Sequence, residues 1–216
     1  LIVDKNGIKV AILAYTYGTN GMEAAVDQDK LEYLVNYIEL DKMREDVNRA
    51  RQAGADAIIV CMHWGVEYSR TVGEEQERLA DELFSAGADI ILGSHPHVIQ
   101  TMERKMVTDS SGEDKEVFVA YSLGNFISNQ RDRYTDSGVV VDITISKRGE
   151  ETAIGDIRYT PTWVRKFEQN GKVHYRILPV KVFMDSQLPT SDLERMKAVW
   201  KETTDIIEDK DIKAKK

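Results

Sequence analysis

The 216-residue sequence contains a single cysteine, Cys61, so no disulfide can form within the chain. It has no apolar run of membrane-spanning length and no charged and apolar leader, so we expect neither a transmembrane helix nor a signal peptide. The glycine-rich loops of P-loop and dinucleotide-binding proteins are also missing. Ser94 has no nucleophile-elbow context. The last two absences disfavour nucleotide-binding and serine-hydrolase functions.

An excess of positive charge is absent as well, because the formal net charge is -8. This balance argues against a general nucleic-acid binder, but an anionic substrate stays open, since a bound metal can reverse the local field. The hydrophobic fraction of 42% and the charged fraction of 31% are typical of a globular domain. The first residue is Leu1 rather than Met, so we expect the natural protein to start further upstream.

The hydrophobic pattern alternates helices and strands in the first half and then becomes mostly antiparallel β-structure. We therefore predict a mixed α/β fold. Predicted helices cover residues 41–53, 74–86 and 191–209, and predicted strands cover 9–16, 57–62, 90–92, 98–107, 116–122, 138–146, 153–164 and 173–182.

Two parts of the first half have the same pattern of a helix, the tetrad Ala-Gly-Ala-Asp and a short apolar run. The tetrad and run occupy residues 53–60 in one copy and 86–93 in the other. Such units lay their strands parallel in one sheet, and the carboxyl ends of the strands then share an edge where ligands bind. Just beyond the first run lies His63, and beyond the second lie His95 and His97.

This placement of three histidines predicts a metal site. In an extended segment, residues two apart point to the same side, so His95 and His97 can face one site, and Pro96 favours that extended conformation. Neutral imidazole binds zinc, iron, manganese and nickel well. The alternative is that His63, His95 and His97 are ordinary polar loop residues.

Other polar residues are weaker candidates. Glu67 follows His63 closely and could accept a hydrogen bond or act as an acid–base group, or it could be a solvated loop acid. Asn125 follows another strand and could approach the same edge, or it could form a turn with Gly124.

Three further residues are not expected to be ligands. Asp56 and Asp89 begin their strands, so we expect them at the opposite edge of the sheet, in turns. His174 lies in a strand of the β-rich half with no partner motif.

Three motifs carry a specific resemblance. They are Cys-Met-His-Trp-Gly-Val-Glu-Tyr at 61–68, Gly-Ala-Asp-Ile-Ile-Leu-Gly-Ser-His-Pro-His-Val at 87–98 and Tyr-Ser-Leu-Gly-Asn-Phe at 121–126. Together they resemble the bacterial poly-γ-glutamate capsule biosynthesis protein CapA family, which belongs to the calcineurin-like metallophosphoesterase superfamily. The resemblance is clear over residues 1–147 and less distinct over 148–216.

The resemblance implies a fold, a division of the chain and a ligand set. The fold would be part of an αββα sandwich with mixed sheets. Residues 1–147 would form the C-terminal half of the metallophosphoesterase-like domain, and 148–216 a β-strand and helix extension packed on it. His63 and His95 would bind one metal of a divalent pair (Mn, Zn or Fe), and His97 the other.

The sequence also departs from the superfamily pattern. Members carry an early Asp, a bridging Asp and an Asn-His motif in an N-terminal half, and none has a counterpart here. We therefore expect an upstream part or another polypeptide to complete the metal pair, and this chain alone to be inactive.

Two kinds of function remain open. One is a metal-dependent, phosphoesterase-like hydrolase in poly-γ-glutamate capsule synthesis or export at the extracytoplasmic cell envelope, acting on a phosphate ester or on the polymer. The other is a non-catalytic envelope scaffold that binds polymer or other capsule synthesis proteins. No nucleic-acid partner is expected.

Overall fold

The computed structural model describes residues 1–109, 112, 114–207 and 212–215. It contains ten strands, five α-helices and one short 3-10 helix within these residues. The strands are β1 (Ile2–Lys5), β2 (Ile8–Thr16), β3 (Ala57–His63), β4 (Ile90–Ser94), β5 (Met102–Thr108), β6 (Asp114–Ala120), β7 (Ser137–Arg148), β8 (Glu151–Gln169), β9 (Lys172–Pro179) and β10 (Ile212–Ala214). The helices are α1 (Gln28–Leu34), α2 (Leu40–Gln52), α3 (Glu74–Ala86), α4 (Val180–Phe183) and α5 (Thr190–Ile206), and the 3-10 helix is Met22–Ala25.

The first sheet has six strands in the order β1-β2-β3-β4-β6-β5. Its four central strands, β2, β3, β4 and β6, run parallel, while the edge strands β1 and β5 are antiparallel to their neighbours. The duplicated helix-to-strand units therefore place β3 and β4 side by side, with His63 opposite Ser94 in the register. The carboxyl ends of β2, β3 and β4 form one edge.

Helices α2 and α3 cover one face of this sheet. In α2, Met43, Val47 and Ala50 are buried at intervals of four and three residues, which places them on one side of the helix. In α3, Leu83 and Phe84 are buried in the same cluster. This cluster anchors the strands whose ends carry the histidines.

The second sheet packs against the other face of the first sheet. Its order is β10-β8-β7, and β9 pairs with the same strand β8 further along. The core between the sheets joins Ile90 and Phe118 of the first sheet to Ile157 and Tyr159 of β8. Arg158, on the opposite face of β8, is exposed, so that face is open along this part of the strand.

The C-terminal helices extend the core between the sheets. Met196 and Val199 of α5 pack on Trp163 of β8. Trp163 lies on the same face of β8 as Ile157 and Tyr159, because every second residue of a regular strand points to the same side. Thus α5 lies beside the first sheet and above the end of the second.

The predicted mixed α/β fold with mixed sheets is confirmed. Several boundaries differ. β5 begins at Met102, after a bend at residue 98 and an isolated bridge at residue 99, and β8 continues to Gln169. The strand predicted over residues 173–182 ends at Pro179, because Val180–Phe183 form α4, and the last helix ends at Ile206. Residues 208 and 209 of the predicted helix lie outside the described residues. The division of the chain at residue 147 stays a prediction. No helix within the described residues is long and apolar enough to cross a membrane.

Candidate metal centre

The structure brings the three predicted histidines together at the carboxyl edge of the parallel strands. His63 is the last residue of β3, and His95 directly follows the last residue of β4. The ring centroids of His63 and His95 are 4.8 Å apart, and those of His95 and His97 are 6.3 Å apart. The arrangement forms one imidazole cluster, and its role as a metal site remains a prediction.

The segment that joins His95 to His97 is not extended, so that part of the sequence interpretation is wrong. Residues 95–98 form a bend, in which His95 has φ 101° and His97 has φ 61°. Residues other than glycine rarely adopt a positive φ, which costs about 1–3 kcal/mol each, and such residues concentrate at functional sites. The bend, rather than strand alternation, turns both rings towards His63.

The environment of His63 leaves one of its nitrogens free for a ligand. Its Nδ1 lies 3.2 Å from Ser94 Oγ, and Ser94 Oγ lies 3.2 Å from the carbonyl oxygen of Met62. The hydroxyl has one proton, which it donates to that carbonyl, so it accepts from Nδ1–H of His63. In the neutral ring Nε2 then carries the free lone pair. Burial, followed by the charge of His97, lowers the pKa of His63 and favours this neutral form.

His97 is oriented in the same way by Asn125. The amide nitrogen of Asn125 donates to the carbonyl oxygen of Thr135 at 2.8 Å and to Oε1 of Gln130 at 2.9 Å. Its Oδ1 therefore faces His97 Nδ1 at 3.0 Å and accepts a hydrogen bond from it. With Nδ1 engaged in this way, Nε2 of His97 is the nitrogen left for a ligand. Asn125 positions the histidine, which answers the question that the sequence left open.

His95 is the most enclosed member of the cluster, with 9% of its surface exposed. Burial is the main cause that lowers its pKa, and the neighbouring charge of His63 lowers it further. Glu67 acts in the opposite direction and raises the pKa of His95, but the net shift is downward. The ring is therefore neutral at neutral pH, as a metal ligand must be.

Glu67 and Tyr68 belong to the loop after β3 and reach the same cluster. Oε1 of Glu67 lies 4.0 Å from the free Nε2 of His97. The Tyr68 ring stacks on His97 with centroids 5.8 Å apart, and its hydroxyl accepts from Nε2 of Gln130 at 3.2 Å. Glu67 thus supplies a carboxylate at the edge of the imidazole cluster.

A buried pair of amides fixes that loop. Nε2 of Gln76 donates to Oε1 of Gln100 at 3.0 Å, and Nε2 of Gln100 donates to the carbonyl oxygens of Ser69 and Thr71. Both glutamines are nearly inaccessible to solvent. Buried polar groups rarely go unpaired, so this network ties the loop that carries Glu67 to α3 and to the segment after His97.

Tyr17 belongs to the cluster although sequence reasoning missed it. Its ring stacks on His63 with centroids 5.8 Å apart and lies 4.4 Å from the ring of His95. Tyr17 directly follows β2, just as the histidines follow β3 and β4. The rule that led to the histidines would have found it, had the first strand been assigned to the same edge.

The remaining candidates lie where the sequence reasoning put them or serve the core. Asp56 accepts from the backbone of Lys9, and Asp89 accepts from the backbone of Ile58, at the opposite edge of the sheet. Trp64 is buried and donates its indole proton to the carbonyl oxygen of Tyr121 at 2.9 Å. It packs in the core.

The donors at the cluster fit a divalent cation in chemistry but not in number. Two imidazoles, His63 and His97, present a free Nε2, and the carboxylate of Glu67 stands beside them. Across the described part of the chain, however, no group of three or more His, Cys, Asp or Glu side chains is arranged to hold a metal ion. The cluster therefore resembles part of a metal centre that lacks carboxylate ligands.

The bacterial capsule synthesis protein family PGA_cap matches residues 1–130 of the chain. The match covers more than half of the sequence and includes all three histidines and Asn125. The chain belongs to this family. The predicted membership is confirmed.

Two relatives support the same conclusion. The capsule biosynthesis protein CapA of Bacillus anthracis is 32% identical over 152 residues, which is 70% of this chain and 34% of that protein. The PGA biosynthesis protein CapA of Bacillus subtilis strain 168 is 36% identical over 116 residues, 52% of this chain and 28% of that protein. The chain thus matches about a third of the length of these relatives.

Among solved structures, sulfate thiohydrolase SoxB from Thermus thermophilus, in complex with glycerol, is similar to the chain with a TM-score of 0.40 and 17% identity. The match covers 95% of this chain and 28% of that one. At this score the likeness supports no inference about the site.

Proposed function

We propose that this chain contributes one side of a divalent-metal centre to a protein of poly-γ-glutamate capsule synthesis or export. The observation that carries the proposal is the packing of three imidazoles at one sheet edge, two of them with a free Nε2. Membership of the capsule synthesis family supports the biological setting. By the same reasoning the site is expected at the extracytoplasmic side of the bacterial envelope.

Each residue of the cluster has a specific task in this proposal. His63 and His95 would hold one cation and His97 the other, with carboxylate ligands contributed from outside residues 1–216. A bound pair of divalent cations would supply positive charge that binds an anionic ester and stabilises the negative charge that develops as its leaving group is displaced. Asn125 and Ser94 hold their histidines in the tautomer that presents Nε2.

Glu67 and Tyr68 would act at the substrate side. The carboxylate of Glu67 is close enough to the cluster to accept a proton from a water molecule that attacks a bound ester. The exposed ring of Tyr68, which stacks on His97, would contact a substrate bound beside that histidine. The substrate class we favour is a phosphate ester or the γ-linked glutamate polymer, because metal pairs bind both phosphates and carboxylates.

A second candidate is a non-catalytic scaffold for the polymer or for other capsule synthesis proteins. The observation that favours it is the incomplete ligand set among the described residues. In that case the imidazole cluster would be a packing or docking feature, and its loss would leave polymer production intact.

The experiment that separates the two is complementation in a capsule-forming bacterium that lacks this protein. Cells carry the full-length wild type, His63→Ala or Lys197→Gln, and the poly-γ-glutamate yield is measured. We expect His63→Ala to abolish the polymer, because the ligand is lost, while Lys197→Gln, which changes an exposed residue of α5, retains it. Purified wild type should hydrolyse a generic aryl phosphate with Mn²⁺ or Zn²⁺, and His63→Ala should lose activity chiefly in kcat.

A normal polymer yield from cells that carry His63→Ala would contradict the catalytic role. Loss of polymer on deletion of the whole gene, combined with that normal yield, would establish the scaffold.

A further inference from the structure

The hairpin formed by the end of β8 and the start of β9 has an unusual charge. Residues 165–176 contain four Lys and Arg residues and a single acid, Glu168, within a chain whose net charge is -8. All twelve residues pair with one another or form the turn between the strands, and most are exposed. We call this segment the basic hairpin.

Each face of the basic hairpin combines one aromatic ring with two cations. Phe167 has the guanidinium carbon of Arg165 at 4.6 Å and that of Arg176 at 5.5 Å from its ring centroid. On the other face, Tyr175 has Lys166 Nζ at 5.8 Å and the guanidinium carbon of Arg131 at 5.6 Å. Rings of this kind attract cations and hold them in place.

Most of these cations have no acidic partner. Arg165 pairs with Asp192 at 2.6 Å. For Lys166, Lys172 and Arg176, no ion pair with a carboxylate is found in the ranges of the chain that the structure describes. Lys166 instead donates to the neutral Oδ1 of Asn129 at 3.1 Å. Three of the four positive charges of the basic hairpin are therefore not neutralised by a carboxylate of the described residues, which leaves them available to an anionic ligand.

The Tyr175 face leads towards the imidazole cluster. Asn129 accepts from the Tyr175 hydroxyl at 2.6 Å, and the guanidinium of Arg131 donates to the carbonyl oxygen of Val164 in β8. Between these two residues lies Gln130, whose side chain contacts both Asn125 and Tyr68 beside His97. One short loop therefore touches both the hairpin and the candidate metal centre.

We propose that the basic hairpin binds a flexible, carboxylate-bearing polyanion and that its Tyr175 face lies on the path of that polymer to the histidine cluster. The proposal rests on the proposed function, since it names the part of the surface that holds the polymer. Charge complementarity selects the class of ligand, because regularly spaced carboxylates match ordered cations that lack acidic partners.

A single-stranded nucleic acid is the competing polyanion, and the ring contacts disfavour it. Proteins that bind single strands leave aromatic faces open for bases to stack on. Here the Phe167 ring is flanked by two guanidinium groups and stacks on His174 with centroids 5.4 Å apart, and the Tyr175 ring is flanked by two cations. Cations thus lie over both rings, in the place that a stacking base would take.

The test is the anisotropy of fluorescently labelled poly-γ-glutamate titrated with the full-length protein at low and physiological salt. The double variant Lys166→Gln/Arg176→Gln should bind about tenfold more weakly than wild type at low salt, since each exposed cation contributes roughly two- to fivefold. The matched control Lys197→Gln/Lys201→Gln removes the same charge from the exposed side of α5 and should bind within about twofold of wild type.

A single substitution at an exposed position tests the same surface with little risk of misfolding. Lys172→Gln changes one exposed residue beside the turn and should weaken binding about twofold to fivefold. Equal weakening in the α5 control would overturn the proposal, because net charge alone would then explain the result. Equal or tighter binding of an oligothymidylate with the same number of charges would overturn the carboxylate assignment.

Metal content, measured on the same samples, keeps this proposal separate from the proposed function. Hairpin variants that lose polymer binding and retain wild-type metal content support the hairpin proposal. Unchanged polymer binding in the hairpin variants overturns the hairpin proposal, and so does the absence of polymer binding in the wild type. In either case, a metal content that depends on the histidines would still support the metal centre. Polymer binding through the hairpin in a protein without metal would support the hairpin and contradict the metal centre.

Discussion

Asn125 decides which nitrogen of His97 is free, so it gives the sharpest residue-scale prediction. Asn125→Ala removes the acceptor 3.0 Å from Nδ1, which frees the ring to rotate and to change tautomer. We expect the metal affinity of the full-length protein to fall about 10–100-fold, as is typical when the group that orients a ligating histidine is lost. Titration with Mn²⁺ or Zn²⁺ against a competing chelator measures it.

The matched control for this prediction lies in the same loop. Asn129 bonds Tyr175 and Lys166 but no histidine, so Asn129→Ala should leave metal affinity within about twofold of wild type. If the two alanine variants lose the same affinity, loop disorder rather than ring orientation is the cause.

Gly93 is a second residue whose identity the site requires. A Cβ at this position in β4 would lie 1.9 Å from the carbonyl oxygen of Tyr121, the acceptor of the Trp64 indole proton. We expect Gly93→Ala to reduce the free energy of unfolding by about 3 kcal/mol, because the backbone beside the histidines has to move. Urea denaturation measures this loss.

Gly155→Ala is the comparison, since its Cβ would meet Thr144 at an acceptable 3.4 Å. It should change stability by no more than about 0.5 kcal/mol. A similar small effect at Gly93 would show that β4 can shift without cost and that the tight approach is unimportant.

At the scale of elements, one ion pair connects the loop that carries Asn125 to the last helix. Asp136 precedes β7 and accepts from Arg195 of α5 at 2.7 Å and from the indole of Trp163 at 2.9 Å. Arg195→Met would leave the buried carboxylate unpaired, so we expect a loss of about 3 kcal/mol in unfolding free energy at neutral pH. Thermal and urea unfolding check the loss.

The same pair predicts a pH dependence. Burial alone would raise the pKa of Asp136, but the hydrogen bonds and charge of Arg195 outweigh it and the net pKa is lowered. A carboxyl with a lowered folded-state pKa stabilises the protein above its unfolded pKa of about 4 and loses that contribution as pH falls through the folded value. Wild type should therefore lose stability below about pH 4, and Arg195→Met should lose less over that range. An identical acid dependence in both proteins would contradict this role.

The elements also show how far sequence reasoning reaches. The apolar runs and the repeated Ala-Gly-Ala-Asp tetrad are local signals, so they predicted β3, β4 and their parallel pairing. The bend at 95–98 could not be predicted in this way, because positive φ at His95 and His97 is imposed by packing against residues distant in sequence. Tyr17 was missed because an end-of-strand aromatic has no motif of its own.

At the scale of the whole molecule, two sheets and the helices outside them place one imidazole cluster at a single edge. The mixed α/β fold and the family could be predicted from the sequence, since both depend on periodicity and on three contiguous motifs. The free Nε2 atoms of His63 and His97 could not be predicted, because the tautomers depend on contacts made only in the folded chain. The tautomer of His63 depends on Ser94 and Met62, and that of His97 depends on Asn125 and Thr135. The basic hairpin likewise becomes visible only when β8 and β9 pair.

The most direct test of the central claim is the metal content of the full-length protein and its histidine variants by elemental analysis. His63→Ala and His95→Ala should each lose the same one of two metal positions, and His97→Ala should lose the other, with unchanged circular dichroism. His174→Ala, which removes the imidazole stacked on Phe167, should retain both. Unchanged metal content in all three cluster variants would contradict the assignment of His63, His95 and His97 as ligands.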